Sequence, residues 1–260
     1  MKQAIQCCAG LVFGLSLYGC GGAGDLDATG EETIGSLEEA LSSPIFEHAK
    51  VTSTTTATLD CPDDKPWLLG TAAEASANTS LKTVVPVSGF PTGLFVDSGM
   101  TGAAATAEGV CSNAMGIRFT ESSSTGQKVA SCPSGMVAVG GGGECEGSGR
   151  LFRSRPSPDT DGSKPTGWAA ACTSGPVIAR AICVWEDMNF DFTSCRTERV
   201  DGVGTATVSC PANRTAVSAG GYCGNNTPLF HLDLNSSLTT AKAACRGFSS
   251  NVHAYAVCCD

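Results

Sequence analysis

Val129-Ala130-Ser131-Cys132-Pro133 returns as Thr207-Val208-Ser209-Cys210-Pro211, and Thr58-Leu59-Asp60-Cys61-Pro62 is a third version of the same pentapeptide. Repetition at this spacing marks one structural unit copied along the chain. Seven places beyond each cysteine stands an apolar residue: Leu68, Val139 and Val217. Thirteen places beyond it come Cys145 in the second copy and Cys223 in the third, followed at matching distances by Leu151-Phe152 and Leu229-Phe230. The ends of the copies also agree. Val177, Ala179 and Ala181 lead at alternate positions into Cys183, Val252, Ala254 and Ala256 lead into Cys258, and Ala105, Ala107 and Gly109 precede Cys111. A period of two with one small apolar face is the pattern of a strand packed on one side. The opposite face is mixed, with Ile178, Arg180 and Ile182 in one copy and His253, Tyr255 and Val257 in another. Long helical periodicity is missing, so the expected fold is all-β: three tandem disulfide-framed antiparallel repeats at 51–120, 121–194 and 195–260. The glycines at 140–143, Gly220 and Gly221 are expected at turns or bulges.

The chain has 15 cysteines, which in an exported protein imply a disulfide framework. Cys7, Cys8 and Cys20 fall in or at the end of the leader described below, leaving an even set. First-to-last separations within the copies are 50 for Cys61 and Cys111, 51 for Cys132 and Cys183, and 48 for Cys210 and Cys258. The second and third copies add an inner pair, Cys145 with Cys172 and Cys223 with Cys245; the first copy has neither inner cysteine. Had an inner cysteine bonded an outer one, their joint absence would strand two partners. Outer therefore pairs with outer and inner with inner. Cys195 and Cys259 remain and pair by elimination, although Cys258 and Cys259 are adjacent and could exchange for Cys210. Cys-x-x-Cys pairs are missing, so the spacings resemble no zinc site.

Lys2, the mostly apolar run from Ala4 to Leu17 and the small residues before Cys20 have the layout of a secretory signal over residues 1–19. Leu17-Tyr18-Gly19-Cys20 resembles the lipobox of bacterial lipoprotein signals. The resemblance implies cleavage before Cys20, lipidation of its thiol and, with Gly21 next, an outer-membrane or cell-surface location; an ordinary cleaved signal is the plainer alternative. Several acyl chains anchor firmly, at about 0.8 kcal/mol per buried methylene. Residues 20–50 are acidic and rich in Gly, Ser and Ala, and are expected to be a flexible tether, although Ile34, Leu37 and Leu41 have helical spacing.

The chain holds 25 acidic against 16 basic side chains, a net charge of −9. Acidity without a basic cluster argues against nucleic acid as a partner, leaving the membrane, through the lipid anchor, as the one expected contact with lipid. Candidate chemistry is sparse. His48 lies in the tether, and His231, at the place of Arg153 in the preceding copy, is expected at an exposed position. No nucleophile elbow or zinc-protease motif occurs, no cofactor motif is present, and no catalytic residue is assigned. Asp159-Thr160-Asp161-Gly162 is a fragment of a calcium-loop pattern and is expected to be a solvated loop. Trp67, Trp168 and Trp185 are weighed as sugar-stacking platforms, with packing in the core or at a cleft edge the expected role. Residues 146–171 and 224–244 are the natural binding loops.

Over residues 51–260, Cys-Pro-x-x-x-x-Val/Ala-x-Gly-Gly closing on Ala-x-Ala-x-Cys resembles tandem repeats of secreted actinobacterial and myxobacterial proteins. More distantly, three cysteine-framed β units resemble the vitelline membrane outer layer protein, a β-prism. That likeness implies one antiparallel sheet per copy around a shared core, and a carbohydrate-related or coat-forming role. The expected function is thus a lipid-anchored surface module that recognises glycan or extracellular matrix without catalysis. A hydrolase with an unrecognised site and a purely structural coat protein are the alternatives.

Overall fold

The computed structural model describes residues 46–76, 79–87, 89, 91–114, 116–185 and 192–260. The signal, Cys20 and the tether up to residue 45 lie outside the described residues. Those described are almost wholly β, with sixteen strands and no α-helix among them.

The first third runs β1 (Phe46–Thr54), β2 (Thr56–Asp60), β3 (Trp67–Ala75), β4 (Thr83–Pro86), β5 (Gly93–Asp97) and β6 (Ala104–Ser112). The second contains β7 (Arg118–Ser131), β8 (Met136–Cys145), β9 (Leu151–Ser157) and β10 (Gly167–Trp185). The last has β11 (Arg196–Val203), β12 (Thr205–Ser209), β13 (Thr215–Cys223), β14 (Leu229–Leu234), β15 (Thr240–Cys245) and β16 (Asn251–Cys259). In the second third two long strands do the work of four. β7 turns a corner at Gly126, whose φ is +93°, and β10 shifts register between Ala171 and Pro176. The matching corners elsewhere fall between β1 and β2 at Thr55 (φ 68°) and between β11 and β12 at Gly204 (φ 71°).

Each third makes the same pairings. The first strand and the third flank the last, as β1 and β3 flank β6, β7 and β8 flank the second half of β10, and β11 and β13 flank β16. Three further strands form a second set: β2–β5–β4, then β7 and β9 about the first half of β10, then β12–β15–β14. These sets are completed by a neighbouring third and not by their own. β14 pairs β3, β4 pairs β8, and β9 pairs β13. The expectation of one sheet per copy is corrected: every six-strand stretch takes half its strands from each of two thirds.

The thirds meet in one core. Gly70, Gly140 and Ser218 hold matching places on β3, β8 and β13, and a Cβ on Gly70 would lie 1.4 Å from the Val217 carbonyl oxygen. Ser218 Oγ donates to the Thr71 carbonyl (3.1 Å) and accepts from the Thr71 N–H (3.2 Å). Deeper in sequence, Leu81 N–H donates to Leu229 O and Leu151 N–H to Leu81 O, both at 2.9 Å, with all three leucines buried. The buried alanines and valines of the alternating strands form one continuous cluster with these residues.

Six disulfides staple this core, and all stay within one third: Cys61–Cys111, Cys132–Cys183, Cys145–Cys172, Cys210–Cys258, Cys223–Cys245 and Cys195–Cys259. Closing loops of this length stabilises by about 4 kcal/mol each on the chain-entropy model. Ala75 and Ser98 occupy the inner-cysteine places of the first third: Ala75 faces Ala105 as Cys145 faces Val177, and Ser98 follows β5 as Cys245 ends β15.

Several boundaries differ from expectation. Phe46 to Lys50 belong to β1, paired from Phe46↔Ser112 onward, so the folded part begins before residue 51 and His48 is not in a tether. β7 starts at Arg118, ahead of the expected 121. The glycines at 140–143 are not a turn but the middle of β8, where a Cβ on Gly142 would sit 1.7 Å from the Val84 carbonyl oxygen. The bulged residues are Leu69, Val139 and Val217. Leu68 is thus one place out of step, because the turn after Cys61-Pro62 is one residue longer than its counterparts.

Candidate ligand-binding face

Alternation along the last strand of each third puts Val252, Ala254, Ala256 and their equivalents inward and leaves one central outward position, three residues before the outer cysteine. That position is Glu108 on β6, Arg180 on β10 and Tyr255 on β16. Their cross-strand neighbours are Ala72, Gly142 and Gly220, so each long side chain lies over a strand with little bulk of its own. The three faces therefore differ in chemistry although they share a backbone plan.

Glu108 is 3% exposed and sits among charges. His48 Nε2 lies 2.9 Å from its Oε1, Lys50 Nζ 3.3 Å away, and the Leu234 N–H donates to its Oε2 at 3.2 Å. Burial alone would raise its pKa, but the His48 hydrogen bond, the Lys50 charge and the Leu234 N–H outweigh it and hold the carboxyl below its ordinary range. Asp233 beside it is raised, by burial first and then by the Glu108 charge. His231 on β14 is half-buried near Glu74 and Asp233, not exposed as expected. This cluster joins β1 and β6 to a strand of the last third. Around Arg180 the arrangement is simpler: Glu121 at 2.8 Å and Glu144 at 3.2 Å clamp the guanidinium.

The face around Tyr255 is layered: Tyr255 itself is 1% exposed, while Arg153, Tyr222 and His253 beside it are half-buried. It runs across β11, β16, β13 and β9, and so combines residues of the second and last thirds. One cross-strand row reads Asp201, His253, Tyr222, Arg153. His253 Nδ1 is 2.5 Å from Asp201 Oδ1 and 2.7 Å from Arg199 Nη2. The His253 ring stacks on Tyr222 at 5.1 Å between centroids, and the Arg153 guanidinium lies over the Tyr222 ring at 4.6 Å from its centroid. Arg153 also approaches Phe152 at 5.7 Å and donates through Nη1 to the Gln127 side-chain carbonyl. The adjacent row places Tyr255 between two guanidinia, Arg155 at 5.6 Å and Arg199 at 5.9 Å. Burial raises the Tyr255 phenol against the pull of both arginines, and burial lowers Arg155.

A cleft of about 380 Å³ bounds this face, lined by Asp159, Thr160, Asp161, Arg199 and Asp201. Loop and strand are tied together there: Gly162 N–H donates to Thr197 O, Thr197 N–H to Ser163 O, and Arg199 N–H to Asp161 Oδ1 at 2.9 Å. The Asp159–Gly162 segment is the expected solvated loop, held in place as one wall of the cleft, and Asp159 also pairs with Arg155 at 3.0 Å. Among the described residues, no group of three or more His, Cys, Asp or Glu is arranged to hold a metal ion.

The tryptophans are not part of this face. Trp168 is fully buried with Nε1 donating to Ser154 Oγ at 3.0 Å, Trp67 is half-buried on β3, and Trp185 is 41% exposed at the end of β10. Of the two expected binding segments, residues 146–171 contribute Arg153, Arg155 and the cleft wall, whereas residues 224–244 lie on the Glu108 face. Sequence reasoning missed the Tyr222–His253 row. Its only trace was the alternation Arg153, Arg155 and His253, Tyr255, and nothing local said that these strands share a sheet. The chain matches no protein-family model and no curated protein.

Proposed function

We propose that this chain is an exported bacterial lipoprotein, anchored through Cys20, that displays a non-catalytic glycan- or matrix-binding module, with the Tyr255 face as its binding surface. The observation that carries the reading is the row Asp201–His253–Tyr222–Arg153, in which two stacked rings are bracketed by a carboxylate and a guanidinium. With His253 and Arg153 over the Tyr222 ring, a sugar would meet ring edges together with the charged and amide groups beside them, which take its hydroxyls. The neighbouring cleft supplies more acceptors without an enclosed cavity, which suits a chain-like ligand lying along a surface. The cyclic exchange of strands among the thirds is consistent with a pseudo-threefold β-prism, and we read the fold in that way.

A glycan array probed with the full chain tests this. Binding to some glycan, lost on Tyr222→Ala with the disulfides still formed, is the expected result. Silence across the array, or binding indifferent to Tyr222→Ala, overturns the reading.

One observation favours a hydrolase instead. Glu108 and Asp233 are neighbouring carboxyls shifted in opposite directions, the pattern of an acid–base pair. Glu108 is sealed beneath His48 and Lys50, so we assign the pair to holding β1 in place. Turnover in a broad hydrolase screen that vanishes on Glu108→Gln would reverse that assignment.

A further inference from the structure

Resting on the glycan reading, we propose that the ligand is an acidic polysaccharide whose carboxylate or sulfate is received by Arg153. The three arginines of the Tyr255 face are not equivalent. Arg155 is paired with Asp159 at 3.0 Å and Arg199 with Asp201 at 2.8 Å. Arg153 has no carboxylate within ion-pair distance among the described residues. Its guanidinium carbon lies 4.6 Å from the Tyr222 ring centroid, its Nη1 goes to the neutral Gln127 amide, and its Nε is buried with no hydrogen-bond partner.

The Nε is sealed from solvent, so an incoming anion meets the Nη end of the guanidinium, whose contact with Gln127 lies at the surface. A guanidinium N–H given to an anionic oxygen makes a charge-assisted bond, about twice as strong as a neutral one. The row is polar along its length, from the Asp201 carboxylate through His253 and Tyr222 to Arg153. A saccharide lying along it presents hydroxyls to the acid end and its own acid to the Arg153 end.

The test uses the full chain, immobilised polygalacturonate beside its neutral methyl ester, and a sulfated galactan beside its desulfated form, all at about 0.15 M salt, where exposed long-range charge is largely screened. One acidic polymer should bind at least about tenfold more tightly than its neutral partner. Arg153→Gln should erase that preference, and Arg118→Gln, which removes the same charge from an exposed site, should leave it intact. Six intact disulfides and a melting midpoint close to that of the parent show that the variant has folded. The carboxylate and sulfate arms tell the two acids apart. Equal binding to charged and neutral partners, or a preference that survives Arg153→Gln, overturns the acidic-ligand inference while the glycan reading stands. Failure of all four polymers also overturns it, and the array then decides separately whether the glycan reading falls too.

Discussion

At the scale of single residues, the fold depends on places where a side chain is excluded. A Cβ on Gly70 would meet the backbone carbonyl of Val217 at 1.4 Å, and that carbonyl belongs to a strand of another third. Relief requires moving β3 away from β13, which also breaks the Thr71–Ser218 hydrogen bonds. Gly70→Ala should therefore cost about 3 kcal/mol, at the upper end for overpacking, read as a lowered denaturation midpoint with an unchanged slope. An effect near zero would mean that the strands do not touch at this point. The position was half legible. Glycines recurring at fixed places pointed to exclusion of a side chain, but the run at 140–143 read as a turn because its obstacles are remote in sequence: a strand of the preceding third at Gly140 and Gly142, and β10 at Gly141 and Gly143.

Among elements, charged side chains join β1, β6 and β14: His48, Lys50, Glu108 and Asp233. Glu108 is lowered in the folded chain, so its contribution to stability is complete above its ordinary value of 4.5 and is lost as the pH falls through the depressed one. Asp233 is raised, so its contribution has the opposite sign: it is present below the ordinary 3.8 and lost as the pH rises through the elevated value. Two consequences follow for thermal or chemical melts taken across pH. Glu108→Gln should destabilise by about 2 kcal/mol at neutral pH, and the gap to the parent should close in acid. Asp233→Asn should be no less stable than the parent at neutral pH. A Glu108→Gln gap that widens on acidification would contradict this account. The strand content of these elements was readable from period-two patterns in β6, β10 and β16, and the nesting of the sulfurs from the joint absence of inner cysteines, with Ala75 and Ser98 standing in their places. β1 escaped notice because Phe46-Glu47-His48-Ala49-Lys50 carries charge on an edge strand, where one flank faces water and no apolar alternation is imposed.

For the molecule as a whole, repetition in sequence suggests three autonomous units, and the pairing says otherwise. Covalent ties stay within each third, since all six disulfides do, whereas the sheets pass from one third to the next through β14–β3, β4–β8 and β9–β13. Sulfur pairing and strand pairing thus divide the chain differently. Each third lacks a partner for two strand edges when alone, and its share of the core, with Leu81, Leu151 or Leu229 at the centre, opens to solvent. Oxidised residues 118–185, isolated as a peptide, should form Cys132–Cys183 and Cys145–Cys172 yet show rapid amide exchange and no cooperative melt, because bridges restrict the unfolded chain without supplying the missing sheet neighbours. Mixing the three oxidised thirds should restore protection at the β9–β13 and β4–β8 seams, since these contacts need proximity and not chain continuity. A single third that melts cooperatively by itself would show that the exchange of strands is incidental. It would also separate the Tyr255 face into two halves, because Arg153 and Tyr222 come from different thirds and meet only through β9 and β13.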